Sequence, residues 1–507
     1  MRGDEEFFRV QSALMRHPDF RRWYERLGQV GGCQNPIYLT GRTVVSDPVT
    51  GEVLQVFSSA DQPFGRLMVP CGNRLASRCG PCAWWYQGDT YHVILAGLVG
   101  GKGVPETVKD HPRVFLTLTA PSFGPVHTRV ERDGRVLSCR VRRGGEVCPH
   151  GVDLSCFAQH GADDPALGAP LCAQCFDYVG AVLWNAHAGK LWHRFTDDVR
   201  RVTLPDLSGL SGRQFASSVR VSFAKVAEYQ RRGLVHFHAV VRLDGGIGPE
   251  GEPAAWATVE LLMAGLRASA GRVRLECADE GGGVRELVFG VQVDVHPIEA
   301  GSGDGALSDD QVAGYVAKYA TKSAECVGTL DRRITCRDCK GSGLMGACPR
   351  CGGTGLRVPL EDLPVPEHAR KLISTAWRLG GLREYQGLKL RLWAHQCGFG
   401  GHFSTRSRVY STTLGELRRV RADFAAEHSA HHVPLPDGAV ADRDWVFSGS
   451  GLSDVEAAFA RQVREQVAFN REQARWELPR IRAEEAQGRE ALAFALEHEP
   501  QYRDDAD

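Results

Sequence analysis

The 507-residue chain contains no run of 18 apolar residues and its mean hydropathy is negative, which argues against a membrane-spanning helix. Its opening residues, MRGDEEFFRV, are acidic where a secretory leader carries positive charge followed by an apolar stretch, so a cytoplasmic location is expected. Net charge is also lacking. The 61 Lys plus Arg balance 61 Asp plus Glu, so no global basic field attracts nucleic acid. Basic stretches remain, RVERDGRVLSCRVRRGG and STRSRVYSTTLGELRRVR among them, and these suffice for local phosphate contacts. A phosphate loop is absent as well: near GLVGGKG, Ala96 stands where G-x4-G-K-[ST] needs glycine and Gly103 where it needs a hydroxyl. No ATPase or helicase activity is expected. Lysine is scarce, nine of the 61 cations, so two lysines falling together call for an explanation.

Cysteine is plentiful. In a cytoplasmic chain 16 cysteines are expected to be thiols or metal ligands rather than disulfides. The strongest pattern is CRDCKGSGLMGACPRCGGTG, in which two C-x2-C-x-G-x-G units supply Cys336, Cys339, Cys348 and Cys351 to one Zn²⁺. It resembles half of the DnaJ cysteine-rich domain. Upstream, VPCGNRLASRCGPC offers Cys71, Cys79 and Cys82, with Cys33 as the available fourth ligand. A third block, 139–175, closes with C-x2-C; the expected set is Cys148, Cys156, Cys172 and Cys175, with Cys139 and His150 as alternatives.

The centre of the chain is AEYQRRGLVHFHAVVRL, residues 227–243. Strand side chains alternate faces, so His236 and His238 share a face and Phe237 takes the other. Arg231-Arg232-Gly233 reads as a hairpin turn. If 230 pairs with 234, Glu228 lies opposite His236 and completes a His, His, carboxylate set for one divalent cation. Downstream, QVAGYVAKYATKSAE places Tyr315 and Tyr319 four residues apart on one helical face, with Lys322 on it and Lys318 beside it. Residues 114–120, VFLTLTA, alternate as a central strand.

HFH followed by Y-x-x-K-Y-x-x-K resembles the HUH endonucleases, single-strand nicking enzymes that include rolling-circle initiators, relaxases and certain transposases. EYQRRGLVHFH is similar to the signature of two-tyrosine phage initiators and Helitron transposases. Over most of the chain the likeness is to replication initiators of actinobacterial plasmids and integrative elements, in an early C-G-N-R stretch, LAGLVGGKGVPE, FLTLTAPSFGPVH, LCxxCxDY and GFGGHFSTRSR. The resemblance implies an α/β catalytic core, an antiparallel sheet with helices on one face, carrying zinc insertions and a helical C-terminal region. It implies that Mg²⁺ or Mn²⁺ sits at His236, His238 and Glu228, with His127 a rival third ligand, and that Tyr319, then Tyr315, attacks single-stranded origin DNA. A 5′-phosphotyrosine link and a 3′-OH primer would result, for host helicase and polymerase to use. A transposase or relaxase would use the same residues, whereas a multi-zinc DNA-binding regulator would leave HFH and YVAKY unexplained. The hydroxyls and guanidiniums of HFSTRSRVYSTT, Arg406 and Arg408 above all, suit phosphate contacts. The expected domains are 1–110, 111–325, 326–358 and 359–507.

Overall fold

The computed structural model describes residues 2–142, 144–299, 308–321, 328–342, 348–428 and 438–497. The chain forms two compact units. One joins residues 1–73, 78–83 and 433–507; the other holds 74–77 and 84–432. This division cuts across the expected 1–110 and 359–507 regions, because Val440–Ser450 is a strand that pairs antiparallel with Ile37–Ser46, Ile37 opposite Ser450. On the far side of Ile37–Ser46 lie Val53–Ser58 and Leu67–Val69. Trp23 and Leu27 pack with Val455, Phe459 and Val463 from the helix Asp454–Glu497.

The larger unit is built on a sheet of five antiparallel strands among the described residues. Their order is Val293–Pro297, Arg113–Leu118, Val235–Gly245, Val219–Tyr229, Ser404–Arg406. Apolar residues occupy both faces. Val114, Leu116, Phe237, Ala239 and Val241 pack on one side in the core that holds the helices Tyr178–Asp198 and Val259–Arg272. Phe115, Ala224, Val226 and Val240 pack on the other against Ile94 and Leu98, and against Val312, Val316 and Ala320 of the helix Asp309–Ala320. Helices therefore cover both faces rather than the one expected, since the histidine strand buries every position but His236 whichever way its side chains point. Among the described residues no helix is long and apolar enough to cross a membrane.

At the end of the sheet away from the histidines, Asp244 gathers buried charge. Its carboxylate accepts from Arg242 Nε at 2.6 Å and Nη2 at 3.0 Å, and from Ser222 Oγ at 2.5 Å, with His111 Nδ1 at 2.9 Å. Arg242 and Asp244 side chains are both 0% exposed. Asp244→Ala would strand a buried guanidinium, and a loss of about 3–5 kcal/mol is expected, read as a fall in the denaturant midpoint. Histidines give a second handle. Burial, then the charge of Arg333, pushes His395 down to about 4, and burial lowers His187 and His368. Unfolded, each takes its proton near ~6.5, so this contribution is complete above that pH and is lost as pH falls. His395 alone accounts for about 3 kcal/mol once the pH is below its folded value, and unfolding midpoints measured between neutral pH and acid should record the decline.

Candidate metal and tyrosine centre

The hairpin that carries the centre takes the expected register, Glu228 opposite His236, closed by a hydrogen bond from Gln230 N–H to Leu234 O at 2.8 Å. Gly233 makes the turn possible: its φ is +77°, and a Cβ there would lie 2.4 Å from Leu372. Both histidines turn Nε2 to one oxygen of Glu228, His236 at 3.0 Å and His238 at 3.2 Å. Behind them Thr117 Oγ1 lies 3.0 Å from His238 Nδ1 and Phe115 stacks on the His238 ring, centroids 5.7 Å apart. A partner on Nδ1 fixes the ring and leaves Nε2 for a metal. Burial, and after it the charge of His236, holds His238 below the ordinary imidazole range, which keeps it neutral as a ligand must be. Glu228 is opposed by burial, yet its hydrogen bonds to His236 and His238 prevail and keep it ionised.

The helix Asp309–Ala320 brings the tyrosines to this face. Ser308 and Gln311 cap it reciprocally, and Arg113 Nη1 holds Asp309 at 2.9 Å while Tyr91 donates to Asp310 at 2.6 Å. Tyr315 Oη is 3.4 Å from His238 Nε2, and the Tyr319 ring is 5.7 Å from that of His238. The two tyrosine rings lie 4.6 Å apart. Burial, the hydrogen bond with Tyr319 and the charge of Glu228 push the Tyr315 phenol up, so it keeps its proton. Lys318 Nζ is 5.9 Å from the Tyr319 ring centroid. Lys322 lies outside the described residues. Thr117 was within reach of sequence reading, since the alternation placed it on one face with Phe115; the strand pairing that sets it opposite His238 was not.

His127 is not part of this group. Among the described residues it joins Cys139, Cys156 and His160, while His150 takes the place expected for Cys156 beside Cys148, Cys172 and Cys175. The expected set is thus corrected: a backbone ladder in which Arg140 pairs with Cys156 draws that cysteine away from Cys148. Cys33, Cys71, Cys79 and Cys82 come together, as do Cys336, Cys339, Cys348 and Cys351. In the first, the Cys33 sulfur lies 3.7 Å from those of Cys79 and Cys82, and that of Cys71 lies 3.6 Å from that of Cys82; in the second, the Cys336 sulfur lies 3.8 Å from that of Cys348 and the Cys339 sulfur 3.7 Å from that of Cys351. A tetrahedron with Zn–S of ~2.3 Å has edges of ~3.8 Å, so these thiols are spaced for zinc.

Arg406 and Arg408 lie away from the triad, at a cleft of about 830 Å³ that Arg200, Arg201 and Arg220 also line. Arg200 and Arg201 come from the turn Val199–Thr203 and Arg220 from the strand Val219–Tyr229, so no single stretch of sequence holds them together with Arg406.

The family described as Replication initiator protein, pSAM2 (RepSA) matches residues 19–465. A Streptomyces ambofaciens protein named Replication initiator protein is 44% identical over 480 residues, 93% of this chain and 94% of its own length. No solved structure matches the chain. A match of this extent shows that the chain belongs to the replication initiator family.

Proposed function

We propose that this chain starts replication by nicking one strand of its origin DNA with a tyrosine, as an HUH endonuclease. The observation that carries the reading is the convergence of Glu228, His236 and His238 on one point with Tyr315 and Tyr319 against it. One carboxylate and two imidazoles form a donor set that would suit Mn²⁺ or Mg²⁺. When bound, such an ion supplies positive charge that polarises the scissile phosphate.

Tyr319 attacks first. Its oxygen bonds to phosphorus, the bond to the 3′ oxygen breaks, and the proton lost by the phenol is balanced by one gained at the leaving oxygen. Tyr315, holding its proton, donates a hydrogen bond to the attacking oxygen, and Lys318 adds positive charge nearby. The products are a 5′-phosphotyrosine and a 3′-OH for host polymerase. Energy kept in the covalent link lets the reverse step rejoin strands without ATP, and host helicase unwinds because the chain has no phosphate loop. The arginine cleft with Arg406 and Arg408 grips backbone phosphates. Zn²⁺ at Cys33, Cys71, Cys79 and Cys82, and at Cys336, Cys339, Cys348 and Cys351, holds its surroundings together.

Incubating the chain and Mn²⁺ with single-stranded oligonucleotides tiling its own element tests this. A covalent adduct at one tile is expected, and no adduct on any tile removes the reading.

A further inference from the structure

Residues 127–175 carry eight metal-ligating side chains in four successive pairs: His127 and Cys139, Cys148 and His150, Cys156 and His160, Cys172 and Cys175. The fold groups the first pair with the third and the second with the fourth. In one group His127 Nδ1 lies 3.2 Å from His160 Nε2, itself 3.6 Å from the Cys156 sulfur. In the other, His150 Nδ1 is 3.2 Å from the Cys175 sulfur and 3.8 Å from that of Cys172. Backbone pairing imposes the alternation. Arg140 and Cys156 exchange hydrogen bonds at 2.8 Å, and His127 bonds Ala169 and Gly168 at 2.9 Å.

Two details point to metal rather than to loose neighbours. Asp164 Oδ2 sits 2.7 Å from His160 Nδ1, which orients the ring and leaves Nε2 for an ion, and the Thr128 N–H lies 3.1 Å from the Cys139 sulfur. The second is the interior. Between 127 and 175 the buried residues, among those described, are Cys139, Cys148, His160, Gly168 and Cys172, while Val141, Val147 and Phe157 are 54%, 58% and 62% exposed. A segment that turns its ligands inward and its apolar side chains outward has no core to hold it, and metal binding is then the available source of folding free energy.

The segment also touches the catalytic hairpin. Ala162 O accepts from Arg231 Nη2 at 2.6 Å, and a Cβ on Gly168, φ +86°, would lie 2.3 Å from the Arg231 carbonyl carbon.

We propose that residues 127–175 form a two-zinc cross-brace, with one ion at His127, Cys139, Cys156 and His160 and the other at Cys148, His150, Cys172 and Cys175, which pins the Arg231–Gly233 turn through its 162–168 loop. Consecutive pairs serve alternate ions, so neither half of the segment can assemble a site alone. The first of these sites adds a fourth to the three the sequence suggests, and the full-length protein should hold four zinc ions.

In the double variant His127→Ala, His160→Ala, Cys139 and Cys156 should become open to iodoacetamide while Cys148, Cys172 and Cys175 stay protected. Hydrogen exchange at the Gly233 and Leu234 amides should accelerate. If the variant does not fold, stepwise chelation of the wild-type chain must release Cys139 with Cys156, separately from the other three. Three or fewer zinc ions in the wild type, or Cys139 becoming reactive together with Cys148, overturns the cross-brace. Unchanged exchange at the turn in a variant that has lost the ion overturns the pinning.

Discussion

A chain carrying both His236→Ala and His238→Ala should lose nicking by about a thousandfold or more, since ion-borne charge stabilisation amounts to several kcal/mol and each ~1.4 kcal/mol is a factor of ten. The fold should survive. The triad's histidines hydrogen-bond to Glu228, Thr117 and Tyr315 rather than to the backbone, and alanine in a paired strand breaks no backbone bond. Circular dichroism and the zinc content of the cysteine groups should match the wild type, which separates loss of chemistry from loss of structure. Glu228→Gln should fall in between, because it keeps the shape and removes the charge. Each single histidine change should abolish nicking too, His238→Ala with the greater structural effect, because that ring is 3% exposed and packs on Phe115. Full cleavage by the double variant would show that these side chains hold no catalytic ion.

The tyrosines should separate by step. Tyr319→Phe keeps the ring that packs beside Tyr315 and removes the nucleophile, so the first covalent adduct should disappear. Tyr315→Phe should still nick once, more slowly by about tenfold, the effect of losing one hydrogen bond to a developing phenolate at ~1–1.5 kcal/mol. It should then fail to resolve the displaced strand after a full round, and multimeric single strands should accumulate. The geometry poses this test sharply, because Tyr315 Oη is the hydroxyl within 3.4 Å of His238 while the hydrogen bond with Tyr319, the burial and the Glu228 charge all retain its proton. Mass spectrometry of the phosphotyrosine peptide decides between them. A first adduct confined to Tyr315 would reverse the order of attack.

What the sequence determined by itself is what depends on neighbours a few residues apart. Alternation along a strand set His236 and His238 on one face, and a turn at Gly233 brought Glu228 opposite His236. The helical repeat aligned Tyr315 with Tyr319, and C-x2-C spacing paired Cys336 with Cys339 and Cys348 with Cys351. Tertiary structure decided whatever required distant segments to meet. The spacing of ligands in 139–175 does not state that Cys156 groups with Cys139 rather than Cys148, because the choice is made by the backbone pairing of Arg140 with Cys156 across the intervening loop. His127 likewise goes to that group and not to the triad. The return of Val440–Ser450 to Ile37–Ser46 was hidden for the same reason, as was the gathering of Arg200, Arg201 and Arg220 beside Arg406. Local periodicity is written by covalent geometry, whereas long-range pairing is chosen by the burial and hydrogen bonding of the whole unit, and no window of sequence contains both partners.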